Sequence, residues 1–302
     1  MASDRFWEGE FLDMLQLLIS GLSNGCVYGL IAMGFVLIYK ASEAINFAQG
    51  DMMMLGAFIT LGLTNDQYIG LPFWTSVPMA MLLMGIIGYA LDALVLRKMF
   101  GQSQIAVVIV TIALGFVARF VAGAIWGYEP QSLESPIAGL DIRFAGLALG
   151  VDELMVIIVT IALTGLLYVF FARTKLGIAM QAASQNQMAA FYMGIPVKRM
   201  HSLVWALSGV IAAIAGILFA SKGSIDPATG LLGIKAFAAA VIGGLGSLPG
   251  ALIGGLLVGI VEPFAARYIE GDIARIMPYL LLVLVLIFRP HGILSQVQNK
   301  KV

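Results

Sequence analysis

The sequence predicts an all-α polytopic membrane protein of about eight or nine transmembrane helices, some of them short or broken. Three observations carry this expectation. Of 302 residues, 60% are hydrophobic and 11% charged, with mean hydropathy +0.97; an ordinary soluble domain carries about 25% charge. Apolar runs near the length of about 20 residues that crosses a bilayer follow one another along the whole chain. The Lys and Arg residues of short connections collect on alternate loops, as they do on a cytoplasmic face. No composition shift or linker divides the chain, so residues 1–302 read as one transmembrane domain.

The predicted spans are about 15–39, 45–63, 73–96, 104–127, 151–171, 203–221, 231–248, 250–268 and 274–289. The segment Met1 to Glu10 is acidic and the first apolar run is long enough to span, so no cleavable signal peptide is expected. Lys40, Arg97 with Lys98, Arg173 with Lys175, Lys198 with Arg199, and Arg289 with Lys300 and Lys301 fall on one side. The other side holds Asn65-Asp66-Gln67, the loop 128–150 and Glu270-Gly-Asp272. This places the N-terminus outside and the C-terminus in the cytoplasm. The loop 128–150, with Pro130, Pro136, Gly139 and Gly146, reads as irregular and external: a solvated connector, or a contact for an external partner.

Glycines spaced four apart, as in Gly250/Gly254 and Gly255/Gly259, suit close helix packing in lipid. Four glycines and a proline between Gly243 and Gly250 are expected to stop a helix at the inner face. No nucleotide-binding loop of the form G-x-x-x-x-G-K-[ST] occurs. Zero net charge offers nucleic acid nothing, and Cys26, the single cysteine, has no partner for an internal disulfide. The two histidines, His201 and His291, lie far apart at span ends, and no catalytic constellation stands out.

Residues 172–202 are the one long polar interruption. They predict a short helix, roughly 177–193, closed by Gly194 in a left-handed turn, with Pro196 starting the next element. Two readings stand side by side: a docking surface for a cytoplasmic partner, or a connecting loop.

Polar residues inside spans are costly and are functional candidates by default. Asn46, Gln49 and Asp51 open the second span, followed by three methionines. Asn46 capping the helix and Asp51 favoured by its dipole is one reading; a broken helix beside a polar pathway is the other. Arg119 and Glu262 both lie toward the outside, so they could pair; Asp51, nearer the inside, is the less favoured partner for Arg119, which could also snorkel outward.

At these residues the chain resembles a known family. Asn24-Gly25 with Tyr28-Gly-Leu-Ile-Ala-Met-Gly34, Ile45 to Asp51, Met193-Gly-Ile-Pro196 and Phe237 to Gly255 are similar, in the same order, to LivH-type permeases of branched-chain amino acid ABC importers. The resemblance covers nearly the whole chain. It implies a multi-pass protein of a bacterial inner membrane that pairs with a second, LivM-like permease. Two cytoplasmic LivG/LivF-like ATPases, which hold ATP and Mg, and a periplasmic solute-binding protein would complete the importer. The chain itself would carry no cofactor and perform no covalent chemistry. Residues 177–196 become the ATPase-coupling segment, with Gln185, Ala189, Ala190, Met193, Gly194, Ile195 and Pro196 at its docking end. Asn24, Asn46, Gln49 and Asp51 become candidates for the pathway or the permease seam. The family usually has His and Glu at Gln49 and Asp51, Arg at Gln181, and in many members Gln-Asn at Arg119-Phe120. These departures leave the solute open among branched-chain amino acids, amides, urea and aromatic acids. An ion-coupled secondary transporter or channel acting alone is the competing class, and an integral-membrane enzyme a third.

Overall fold

The computed structural model describes residues 2–99, 102–136, 139–144, 147–269 and 271–294; Gly146, Glu270, Lys300 and Lys301 lie outside them. Eleven α-helices occur among the described residues. They are α1 (Ala2–Ser42), α2 (Gln49–Thr64), α3 (Phe73–Leu94), α4 (Gln104–Trp126) and α5 (Val151–Arg173), then α6 (Lys175–Gln185), α7 (Gln187–Tyr192) and α8 (Val197–Ala220), then α9 (Leu232–Gly243), α10 (Leu248–Tyr268) and α11 (Gly271–Phe288). Short 3₁₀ helices span Leu96–Met99 and Pro227–Leu231. Among the described residues, seven helices are long and apolar enough to cross a membrane: α1, α3, α4, α5, α8, α10 and α11.

The two remaining predicted spans, 45–63 and 231–248, are shorter than expected: α2 has 16 residues and α9 has 12. Each begins deep inside the protein. The chain leaves α1 at Ser42, and Glu43 turns it back with φ +53°. Residues 43–48 then climb into the bundle, where Phe47 N–H donates to Thr111 Oγ1 of α4 (3.1 Å). Gln49 reaches Ser208, halfway along α8. Coming from the opposite end, Pro227–Leu231 leads into α9. The two helix starts touch: a Cβ on Gly50 would lie 2.2 Å from the Gly230 carbonyl and 2.6 Å from Gly233 Cα. From this meeting of N-termini, α2 and α9 run to opposite faces.

Helix α1, at 41 residues about 60 Å long at 1.5 Å per residue, is the central post. Its apolar window is 89% buried, against 17% for α4 and 11% for α11. The close partner of α1 is α10. A Cβ on Gly259 would fall 2.2 Å from Gly25 Cα, and one on Gly255 2.3 Å from Gly29 N. Backbone therefore lies on backbone, the arrangement that small residues permit in lipid. On the periphery, α3, α4, α5 and α11 present Leu82, Ile86, Phe116, Phe120, Ile161 and Leu284 outward.

Capping matches the local chemistry. Ser103 opens α4, Thr174 opens α6 and Ser247, with Pro249 just inside, opens α10. The glycine cluster stops α9 as expected: Gly244 has φ +104°, and the chain after α11 folds against this end, Ile293 N–H donating to the Ile242 carbonyl (2.9 Å). The loop 128–150 is more ordered than its composition suggests. β1 (Gln131–Ser132) pairs with β4 (Ser224–Ile225), and β2 (Asp141–Phe144) with β3 (Leu147–Gly150), both antiparallel.

Candidate coupling segment and buried polar sites

The segment after α5 is two helices, not the single helix 177–193. Asn186 adopts an extended conformation and its side chain accepts from Ala189 N–H (2.9 Å), so a side-chain cap replaces helix continuation. The end of α7 closes with Gly194 at φ +80°. Gly194 N–H donates to Phe191 O and Ile195 N–H to Ala190 O, both at 3.0 Å, which is the paired bonding of a Schellman turn.

The docking end differs in its facing from the expected one. Ala190 is buried and Ile195 half-buried, both packed on the apolar core, while Gln185, Ala189, Gly194 and Pro196 are exposed. The outward apolar surface consists of Met188, Phe191, Tyr192 and Met193, the last 82% exposed. A six-residue helix ties down one side through Ala190, and its aromatic residues take the other. The signal available in the sequence was the Phe191-Tyr192-Met193 run, too bulky for a solvated loop.

Directly behind this surface, α8 is tied to α3. Asp92, fully buried, contacts His201 Nδ1 through Oδ1 (2.5 Å) and accepts from the Ser202 hydroxyl through Oδ2 (2.5 Å). Arg97 reaches the Ser202 oxygen (2.5 Å) and the Lys198 carbonyl (3.5 Å). The first two turns of α8, entered through Gly194-Ile195-Pro196, are thus fastened to α3 and the Leu96–Met99 turn. Asp92 and His201, 109 positions apart, gave no pattern along the chain.

At mid-depth, Asn46, Gln49 and Asp51 are all buried in protein and none faces lipid. Asn46 does not cap α2: its Oδ1 accepts from Ala48 N–H (3.1 Å), a local turn, and its Nδ2 donates to Gln49 Oε1 (3.3 Å). Gln49 Oε1 also accepts from Ser208 Oγ (2.9 Å), closing a bond between α2 and α8. Asn46 and Gln49 therefore lie inside this chain, Asn46 bonded to Gln49 and Gln49 to α8.

The Arg119–Glu262 pair does not form; the less favoured partner, Asp51, takes its place. Arg119 pairs with Asp51, Nε to Oδ1 at 2.6 Å and Nη2 to Oδ2 at 3.3 Å, and stacks over Phe116. The reason is the deep start of α2, which raises Asp51 to the level of Gly115 at the middle of α4. Asp51 also lies in the first turn of α2 and against Gly230, so two helix starts favour its charge. Glu262 instead pairs with Lys235 of α9 and accepts from the Tyr28 hydroxyl (3.0 Å). Hydropathy places Lys235 near the end of a full span, where a lysine carries no signal; the start of α9 deep inside the bundle brings it to Glu262.

At the end of the bundle opposite the basic loops lies a cavity of about 550 Å³. Gln16, Ser20 and Asn24, one face of α1 at four-residue spacing, form one wall. Lys222, just beyond α8, donates to Ser23 Oγ (2.9 Å) and Asn24 Oδ1 (2.7 Å). Burial pushes its ammonium below the ordinary lysine range, and Glu153 and Asp152 pull it back up. Those two acids open α5 on the facing wall, beside Asp141 of β2. Asn24 thus lines a polar cavity. Lys222 had no motif around it, but the Gln16, Ser20, Asn24 spacing was available to helical periodicity.

The model of the family "Branched-chain amino acid transport system / permease component" matches residues 17–286. The chain belongs to this permease family. Among relatives, the high-affinity branched-chain amino acid transport system permease protein BraD of Pseudomonas aeruginosa is 32% identical, over 97% of this chain and 99% of its own. LivH of Escherichia coli strain K12 is 28% identical, covering 97% of this chain and 99% of its own. LivM of the same strain, also a permease protein of a high-affinity branched-chain amino acid transport system, is 25% identical over 89% of this chain and 68% of its own. Family membership and the seven spanning helices make this an integral, multi-pass membrane protein. They also agree with the family resemblance drawn from Asn24 to Gly34, Ile45 to Asp51, Met193 to Pro196 and Phe237 to Gly255.

Proposed function

We propose that this chain is one permease subunit of an ATP-driven importer whose cargo is a branched-chain amino acid. A second, LivM-like permease, two LivG/LivF-like ATPases holding ATP and Mg, and a periplasmic binding protein complete it. The observation that carries the coupling is the exposed apolar knob Met188, Phe191, Tyr192 and Met193 on a short helix locked at both ends by Asn186 and Gly194. A rigid, compact aromatic anchor on a basic face suits insertion into a partner's groove, where a few residues carry most of the binding.

In this reading the basic loops are cytoplasmic and the cavity beside Lys222 opens outside. Closure of the ATPases moves α6 and α7. The Asp92–His201–Ser202 fastening carries the motion into α3 and α8, and the bundle rocks between outward and inward access. The chain performs no covalent step. The solute preference follows from the named relatives; amides, urea and aromatic acids are the competitors to compare.

The test is reconstitution of the five components with radiolabelled leucine uptake. Phe191→Asp with Met193→Asp is expected to leave the protein in the membrane and to abolish copurification of the ATPases. Retention of the ATPases by that variant, or uptake by this chain without them, rejects the reading.

A further inference from the structure

The cavity beside Lys222 has an arrangement of charge that the coupling mechanism does not use. On the α1 wall, two of the three ammonium hydrogens of Lys222 are held, by Ser23 Oγ and Asn24 Oδ1. The third has no acceptor among the described residues. Because Asn24 Oδ1 is committed to Lys222, the amide faces its Nδ2 group elsewhere, and its two hydrogens also have no acceptor among the described residues. Three fixed donors therefore stand uncommitted along one wall, and one of them is cationic.

The facing wall is acidic. Asp152 and Glu153 occupy the first turn of α5, and Asp141 stands on β2. None of the three carboxylates has a side-chain hydrogen bond or an ion pair among the described residues. Asp152 and Glu153 feel Lys222 electrostatically but do not pair with it. Lys222, held by Ser23 and Asn24, and the three carboxylates thus line one cavity without pairing, so groups of both charges face it. The volume, about 550 Å³, lies in the range of roughly 300–1,000 Å³ usual for small-molecule sites. Phe219 supplies an apolar surface to the same cavity.

We propose that this cavity is an outer binding site for the zwitterionic head of a free α-amino acid, its carboxylate on Lys222 and Asn24 and its ammonium on Asp152 and Glu153. Charge-assisted bonds at both ends would make the site read the two groups together rather than either alone. A site of this kind receives the solute from the binding protein before the bundle turns inward. The inference rests on the reading of the chain as an amino-acid permease and adds a selective step within the permease itself.

The experiment uses the importer complex without its binding protein, in phosphatidylglycerol nanodiscs, titrated with radiolabelled leucine. Saturable binding is expected, with leucinamide and 4-methylpentanoate, each lacking one charge, competing at least about tenfold more weakly, equivalent to ~1.4 kcal/mol. Lys222→Met is expected to lose leucine binding. Because Lys222 is partly buried and its loss can disturb folding, Glu153→Gln with Asp152→Asn is the second probe. It should weaken leucine and leave competition by 4-methylpentanoate unchanged. No saturable leucine binding up to ~10 mM overturns the proposal. So does leucinamide binding as tightly as leucine, which marks a simple cation vestibule. Equal displacement by glycerophosphoethanolamine marks a lipid-headgroup site and overturns it too. Variants that keep leucine binding here and, in a separate pull-down, lower only the affinity for the binding protein mark a docking surface and likewise overturn it. If the complete importer takes up leucine while the cavity binds none, this inference falls alone. If it takes up no branched-chain amino acid, the reading of the cargo falls first.

Discussion

Replacement of Gly194 by valine isolates the contribution of a single backbone conformation to coupling. Gly194 has φ +80°, and a Cβ built there meets nothing within 4 Å. No side-chain clash is created, so the whole perturbation is the cost of a β-branched residue in the left-handed region, on the order of 1–3 kcal/mol. That shifts the population of the native turn about five- to 150-fold. The bonds lost with it are Gly194 N–H to Phe191 O and Ile195 N–H to Ala190 O, which fix Phe191, Tyr192 and Met193 relative to the start of α8. The assay is binding-protein-stimulated ATP hydrolysis and leucine uptake in the reconstituted importer, with the membrane content of each variant measured by immunoblot. Gly194→Val is expected to insert normally and to lose both activities together. Gly194→Asn, whose side chain tolerates the left-handed turn, is expected to keep most of both. Normal stimulation by a properly inserted Gly194→Val protein refutes the assignment of this turn to coupling.

The buried pair and the orientation yield two further expectations. Arg119→Gln leaves the Asp51 carboxylate, whose side chain is 3% exposed, without its cation; breaking such a pair costs about 3–5 kcal/mol. The melting temperature in detergent should fall, and adding Asp51→Asn should recover much of it, whereas Glu262→Gln should not; an unchanged melting temperature for Arg119→Gln contradicts the pairing. In a Cys26→Ser background, cysteine at exposed Gln187 should be shielded from an impermeant thiol reagent in intact cells, and cysteine at exposed Glu134 should react. The reverse pattern inverts the topology.

The sequence by itself determined the apolar elements and their punctuation. Apolar runs, glycine clusters and Pro-Gly signals depend on residues close together along the chain, and hydropathy reads them directly. Gly194 in a left-handed turn, the stop at Gly243 and Gly244, and the glycine contact of α10 are of this kind. The tertiary structure decided depth and rotation. Asp51 met Arg119 rather than leaving it to Glu262 because a re-entrant stretch, 43–48, starts α2 halfway through the bundle. A hydropathy average along the axis does not register that offset. Ala190 turned inward and Phe191 outward because α7 is a separate six-residue helix, and its rotation is set by its packing and the Asn186 cap. Lys222 faced Asp152 and Glu153 only once α1, α5 and α8 had converged. Their positions along the chain carry no trace of that approach, because the distances that create a charged cavity are set by how the helices pack on one another in three dimensions.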